Sequence, residues 1–409
     1  MTKHCVLRAL VACLLLGTPV YSGANEAFGR YSNSSAIFTS NGESLSFSLV
    51  GSDLELEITP AAQATITLKL SLDQTDFGPM AFVSWGVSGI SISASNRVAA
   101  IGVPSALKFE KRHGVLVVLV DLETNRWGKQ YFVDLNGKTN GLPKFAGFLH
   151  DSEKLAVVSD TNILSRGSLT VGVINFSDGR VTKTAYDLRA FPPVTRFFFD
   201  AGNGRVWLGF ERPQRSDAKK NPSILQSLAL TGEEGPSVSL ADLQVNHASA
   251  KWRMLDTMAF PNLTTIIVGE TAWTSGFSPN RLWIADLTTK SIRSMNLPKD
   301  IGKAMAHGLG LDWYENVQAP TALSPDGRFA AIQISQTALG PPYIVDNYVS
   351  KGSRLTIVDL QRMRVLSTIK SEHDRSPAGF ALDHRNGKVT LLVNWGEGGW
   401  KRLEFPESE

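Results

Sequence analysis

The stretch Thr321-Ala322-Leu323-Ser324-Pro325-Asp326-Gly327-Arg328-Phe329-Ala330-Ala331-Ile332-Gln333-Ile334 holds two short apolar runs on either side of a tight polar turn. Pro-Asp-Gly between β-branched and aromatic residues is a turn with a mechanism. Proline presets φ, aspartate bonds to its own backbone, and glycine accepts positive φ. The pattern continues through an apolar run at Leu355 to Leu360 and another at Val365 to Ile369. Four strands in antiparallel order follow from it.

The same grammar recurs. Turn residues Asn96, Ser152, Asn203, Asn262, Asp326 and Asn386 are separated by 56, 51, 59, 64 and 60 residues, and Asn41-Gly42 stands 55 before Asn96. Third strands recur at Val115 to Leu122, Leu169 to Phe176, Ile224 to Leu230, Leu282 to Leu287 and Lys401 to Phe405. Several end in a form such as Val358-Asp359-Leu360. Helical periodicity is nearly absent. Four antiparallel strands repeated about every 58 residues predict an all-β fold, a β-propeller of seven blades. A count of six follows if residues 25 to 80 only decorate the last blade. That last blade is one strand short after Trp400 to Phe405, and a strand near Ala27 to Ser32 is expected to complete it and close the ring.

The Ser-Pro-Asp-Gly-Arg turn at 324 to 328, with Val358-Asp359-Leu360 and Ala285-Asp286-Leu287, resembles exported bacterial β-propellers of the WD-repeat-like and YVTN type. The resemblance covers residues 80 to 409. The Trp-Asp dipeptide of eukaryotic WD repeats is missing, and the units are longer and uneven. The resemblance implies a fold but no activity, since such propellers include both lactone hydrolases and noncatalytic subunits.

At 409 residues, with 43% hydrophobic and 19% charged residues, the chain can bury a large core. Lys and Arg number 41 against 38 Asp and Glu. Nucleic acid as a partner is set aside, because phosphate neutralisation calls for a larger or clustered excess. Residues 1 to 24 read as an export signal: Lys3 and Arg8, then an apolar run from Ala9 to Gly17, then Ser22-Gly23-Ala24 for cleavage. No stretch reaches the roughly 20 apolar residues of a membrane span. The expected mature chain, 25 to 409, is a single secreted or periplasmic domain. Both cysteines, Cys5 and Cys13, fall in the signal, so thiol chemistry and zinc-thiolate sites are excluded.

In a propeller the loops joining strands one to two and three to four lie at one end of each blade, and the remaining loops at the other. The first set is short here. The second set reads as long: Ser105 to Gly114, Phe210 to Pro222, Gln244 to Leu255, Thr271 to Asn280, Pro298 to Ala319 and Gln336 to Ser353. Function on rigid scaffolds gathers on such loops. They hold Trp252, Trp273, Trp313, Tyr314, Tyr343, Tyr348, Trp395 and Trp400, which offer contact area at low entropic cost. Each could instead pack beneath its own loop. Charged candidates at this end are His247, His307, Asp312, Glu315, Asp346 and Glu397, with a basic loop of Arg212, Arg215, Lys219 and Lys220.

The long-loop binding surface is therefore drawn from Trp252, Trp273, Trp313, Tyr314, Tyr343, Tyr348, Trp395, His307 and Asp312. No nucleophile elbow, dinucleotide fingerprint, phosphate loop or His-x-x-x-His pair is found. No catalytic residue, metal ligand or cofactor is assigned. The expected function is noncatalytic binding of a protein or polymer; the alternative is a hydrolase or lactonase with a metal- or His-assisted site at the central channel.

One consequence is directly measurable. The exported protein begins close to Asn25, and intact-mass spectrometry reads it. Retention of residues 1 to 24, or a diacylglycerol on Cys13, overturns the assignment.

Overall fold

The computed structural model describes residues 34–60, 64–83, 88–110, 112–135, 141–149, 153–161, 168–187, 194–200, 204–210, 224–229, 234–239, 252–259, 265–273, 281–286, 289, 291–298, 312–339, 349–370, 376–396 and 399–407. The described strands form seven antiparallel sheets in chain order. Sheet one holds β1 (Ser34–Phe38), β2 (Ser44–Val50), β3 (Asp53–Thr59) and β4 (Ile66–Ser71). Sheet two holds β5 (Met80–Phe82), β6 (Gly89–Ile92), β7 (Val98–Leu107), β8 (His113–Asp121) and β9 (Arg126–Asp134). Sheet three holds β10 (Gly141–Phe148), β11 (Lys154–Thr161), β12 (Ser168–Asn175) and β13 (Val181–Asp187). Sheet four holds β14 (Val194–Asp200), β15 (Arg205–Phe210), β16 (Ile224–Ala229) and β17 (Glu234–Ser239). Sheet five holds β18 (Trp252–Ala259), β19 (Thr265–Trp273), β20 (Arg281–Asp286) and β21 (Ile292–Asn296). Sheet six holds β22 (Asp312–Leu323), β23 (Phe329–Leu339), β24 (Val349–Asp359) and β25 (Arg364–Lys370). Sheet seven holds β26 (Gly379–Arg385), β27 (Lys388–Asn394) and β28 (Trp400–Pro406).

Six of the sheets are simple meanders, which is the blade pattern of a β-propeller. In sheet two the first strand is split. Both β5 and β6 pair with β7, at Met80↔Leu107 and Gly89↔Gly102. The turn residues read from the sequence all fall between the first and second strands of successive sheets, from Asn41-Gly42 to Asn386. Where described, they bear the backbone that marks them: Asn96 and Asn386 have φ of 55° and 50°, and Gly42 and Gly327 have 87° and 68°. Asparagine tolerates this left-handed region and glycine meets no penalty there.

Side-chain alternation then decides the packing. In β3, Leu54, Leu56 and Ile58 are buried while the intervening acids are not. Middle strands are apolar on both faces, and each face joins a different cluster. Ala99, Ile101 and Val103 pack toward sheet one with Leu45, Phe47 and Leu56. Ala100 packs toward sheet three with Val115, Phe148 and Leu155. Ala330 and Ile332 meet Leu282 and Ile284 of sheet five, whereas Phe329 and Ala331 meet Phe380 and Leu391 of sheet seven. Neighbouring blades thus share a core face to face. The first and last sheets also meet, with Phe38 of β1 packed on Ala381 and Leu392. Arg385 bonds to the Thr39 carbonyl across the same seam. The segment expected to complete sheet seven, Ala27 to Ser32, lies outside the described residues. No helix among the described residues is long and apolar enough to cross a membrane.

One contact between blades depends on missing side chains. Phe145 of β10 lies in a notch formed by Gly89 and Gly102. A Cβ at Gly102 would fall 1.9 Å from its Cδ2 and one at Gly89 2.6 Å from its Cδ1. Overpacking of this kind costs about 1–3 kcal/mol. Gly102→Ala should therefore lower the melting temperature. The penalty should shrink when Phe145→Ala is added, so that the double variant is less destabilised than the sum of the two single changes. Additive losses in chemical denaturation would show that the notch is not a contact of this kind.

Candidate functional site

The two ends of the sheets differ in chemistry. At the short-turn end, several of the described connections are capped by their own side chains. The aspartate closing a third strand accepts backbone N–H bonds from the turn that follows. Asp121 Oδ1 takes Glu123 N and Thr124 N at 2.9 and 3.0 Å. Asp286 takes Thr289 N at 3.0 Å. Asp359 takes Gln361 N and Arg362 N at 3.0 and 2.9 Å. This is the physical content of the repeated Val-Asp-Leu form: the aspartate is an Asx cap for the turn into the fourth strand.

Around the turn at 324 to 328 the caps merge into a polar cluster across sheets six and seven. Ser324 Oγ and Arg328 N donate to Asp326 Oδ1, and Phe329 N donates to Ser324 Oγ at 2.9 Å. His384, in β26, places Nδ1 2.7 Å from Asp326 Oδ2 and Nε2 3.1 Å from Glu407 Oε2. Its ring lies 4.6 Å from that of Phe329. Arg328 Nη2 donates to Asp359 Oδ2 at 3.1 Å and also to Glu407. A protonated His384 ring donates to both carboxylates, and a neutral one to only one.

Burial works to raise the Asp326 carboxyl, but bonds from Ser324, His384 and the Arg328 N–H hold it below the ordinary carboxylate range. For Asp359 burial again opposes, and the Arg362 N–H and the Arg328 guanidinium prevail. The hydrogen bond from Arg328 lowers Glu407. Every member of the cluster is bonded to another member or to a turn amide, so its groups join two blades and Glu407, which follows β28. Sequence reading treated Asp326 as a turn residue and Asp359 as a strand end, and missed His384 and Glu407. No local spacing relates them, because they stand 58 and 23 residues apart.

The sequence-selected residues that are described lie at the opposite end. Five of them are on strands, where a loop was expected. Trp252 opens β18 and Trp273 closes β19, directly opposite one another in the register. Asp312, Trp313 and Tyr314 open β22, opposite Leu339, Ala338 and Thr337 of β23. Glu315 follows on the same strand. The sixth sheet therefore runs further than its sequence suggests, taking in part of the expected loops Pro298 to Ala319 and Gln336 to Ser353. Register shifts between Gln318 and Thr321 and between Ser335 and Thr337 interrupt the alternation, and Pro320 falls at the first of them. Bulges accommodate such residues.

Trp395 follows β27 and is partly buried against the cluster of Phe380, Leu382 and Val393. Trp400 opens β28 and packs toward Phe38 and Ala381. Tyr343, Tyr348, His307, His247, Asp346, Glu397 and the basic loop Arg212 to Lys220 lie outside the described residues. Among the described residues no three His, Cys, Asp or Glu side chains are grouped to hold a metal ion.

Three polar atoms at this end are buried without a hydrogen-bond partner: Ser34 Oγ, Ser88 Oγ and Trp400 Nε1. Ser34 opens β1, Ser88 precedes β6 and Trp400 opens β28. A Cβ at Gly379, which opens β26, would meet Ser34 O at 2.8 Å and Trp400 Cη2 at 2.9 Å. The sheets touch closely there. Unbonded buried groups of this type cost about 1–3 kcal/mol each.

No family model matches the chain, and no curated protein matches it. Many solved structures resemble it, two of them as follows. The structure of Dos1 propeller is 11% identical over 92% of each chain, with a TM-score of 0.43. Sqt1 from Chaetomium thermophilum is 13% identical over 92% of this chain and 82% of that one, with a TM-score of 0.45.

The depressed carboxylates set an acid limit. A group whose folded pKa is lowered contributes stability above its unfolded value and loses it as pH falls through the folded one. The melting temperature should fall below about pH 4, where free carboxylates titrate. Glu407→Gln should lower it at pH 7 and make the acid fall shallower. Parallel slopes in thermal melts between pH 3 and 7 would remove Glu407 from the account.

Proposed function

We propose that the chain is an exported, noncatalytic β-propeller that binds a protein or polymer partner through the end of its sheets carrying Trp252, Trp273, Trp313 and Tyr314. The segregation of chemistry between the two ends carries this reading. At the short-turn end, caps and ion pairs engage the polar groups with one another. Two exceptions are Arg328 Nε and Arg364 Nε, on residues that make other contacts. At the other end, strand termini bring aromatic residues into register, and Ser34, Ser88 and Trp400 have unanswered polar atoms.

A partner with both apolar and hydrogen-bonding groups suits that end, as a peptide or a polysaccharide does. The absence of a recognisable catalytic motif in the sequence agrees with binding alone. Within the described residues, the one histidine set between carboxylates is engaged in joining two blades. Export follows from the reading of residues 1 to 24.

Quantitative capture from the envelope extract of the source cells, using purified protein as bait, tests the reading. Trp313→Ala with Tyr314→Ala should weaken retention of a specific partner by about 2 kcal/mol, roughly thirtyfold. Arg126→Ala with Lys290→Ala, at the short-turn end, should change it little. Both double variants must first melt at the wild-type temperature. Normal capture by a stable Trp313/Tyr314 variant, or loss through the Arg126/Lys290 variant, places function at the wrong end.

A further inference from the structure

Among the described residues, three large apolar side chains are exposed: Val50 at 57%, Phe77 at 42% and Phe109 at 85%. They are not scattered. Val50 ends β2 where the chain turns into β3, Phe77 lies between β4 and β5, and Phe109 stands in the connection from β7 to β8. All three connections belong to sheets one and two, which are neighbours, and all lie at the end opposite the short turns. Single exposed apolar residues are ordinary, but a group gathered at one place marks an interaction surface.

The loops hold these tips in fixed relation. Leu72 N donates to Ser52 O at 2.8 Å, joining the first connection to the second, and Lys108 N donates to Pro79 O at 3.2 Å, joining the second to the third. Lys108 and Asp73 form an ion pair across the same gap. Buried Leu72 and Met80 anchor the second connection at its two ends. Within it, Thr75 Oγ1 donates to Gly78 O at 2.6 Å, Asp76 N donates to Gln130 Oε1 at 3.2 Å, and the Phe77 ring lies 6.1 Å from that of Phe132. Apolar groups on braced loops lose little freedom when they are taken up.

Charge and shape narrow the occupant. The three connections carry Lys108, Lys111 and Arg112 against Asp53, Asp73, Asp76 and Glu110. Lys108 is engaged with Asp73, and Arg112 with Glu110 at 2.9 Å and Asp134 at 3.0 Å. A surface with acids slightly in excess attracts neither nucleic acid nor an anionic membrane. At its exposure Phe109 stands clear of its own loop, as a projection and not as the wall of a groove. A folded partner would need a separate pocket for each of three spaced projections. The interfacial layer of a bilayer deforms around any such set, and zwitterionic headgroups match a surface whose charges nearly cancel.

We infer that this end of sheets one and two rests on a zwitterionic lipid surface, with Val50, Phe77 and Phe109 inserted among the headgroups. The surface is distinct from the Trp252, Trp273, Trp313 and Tyr314 group of sheets five and six, and it stands whether or not that group binds a partner.

Vesicles of phosphatidylcholine and phosphatidylethanolamine test it. The chain beginning at Asn25 has no cysteine, and Cys5→Ser with Cys13→Ser gives the same background if residues 1 to 24 are retained. Phe109→Cys then carries one apolar, environment-sensitive fluorophore at the tip, and Glu123→Cys carries one on the exposed short turn of the same sheet. On adding vesicles, emission from position 109 should shift to the blue while that from 123 stays unchanged. Val50→Ser with Phe109→Ser, both at exposed positions, should lower partition into the vesicles about tenfold without changing the melting temperature. Raising the salt concentration should leave partition unchanged, since no charge attraction drives it. The inference is overturned by no partition, by equal partition of the serine variant, or by a label at 109 that ignores vesicles. Binding that requires phosphatidylglycerol and is lost in salt also overturns it, in favour of a basic surface elsewhere. A 109 label that shifts with protein concentration in the absence of lipid gives the surface to a second copy of the chain instead.

Discussion

A strand that is apolar on both faces must be covered on both, and this architecture is built around that requirement. Val115 and Val117 of β8 belong to one core while Leu116 and Val118 belong to another. A lone four-stranded sheet would leave one of those faces in water. At about 25 cal/mol per Å² of apolar area, exposure of that kind cannot be sustained by a blade of under sixty residues. Each sheet is stable because the next lies on it. The close fit of Phe145 over Gly89 and Gly102 shows how near the blades approach where a side chain is removed to admit its neighbour.

Legibility followed the same physics. The repeat could be read because its turns need residues of restricted type: Asn96 and Asn386 occupy positive φ, and Asp121, Asp286 and Asp359 cap turns with their own carboxylates. Such local demands leave marks in the sequence at fixed places. The length of sheet six did not. Its bulges shift the alternation by a residue, so Trp313 and Tyr314 read as loop though they open β22. The cluster of His384, Asp326, Arg328 and Glu407 was illegible for another reason. Its members become neighbours only through blade packing, and nothing in their spacing announces it.

The contrast between the two ends has a structural logic. Short turns at one end are held by caps that use one or two residues each, so they admit little variation in length. At the other end the connections range from two residues, 51–52, to fifteen, 297–311, and strands such as β22 and β23 extend toward them. The scaffold separates the demands: one end maintains geometry, and the other is free to present side chains.

The seam between the first and last sheets also fixes an order of events in time. Arg385 reaches the Thr39 carbonyl across 346 residues of chain. During synthesis, sheet one emerges before sheet seven, and the apolar flank around Phe38 waits for Ala381 and Leu392 to arrive. Contacts of such sequence separation form slowly, and apolar surfaces left waiting for them are prone to aggregate. The earliest part of the chain to appear is thus the last to be sheltered. Its protection in the interval must come from outside the chain or from speed of passage.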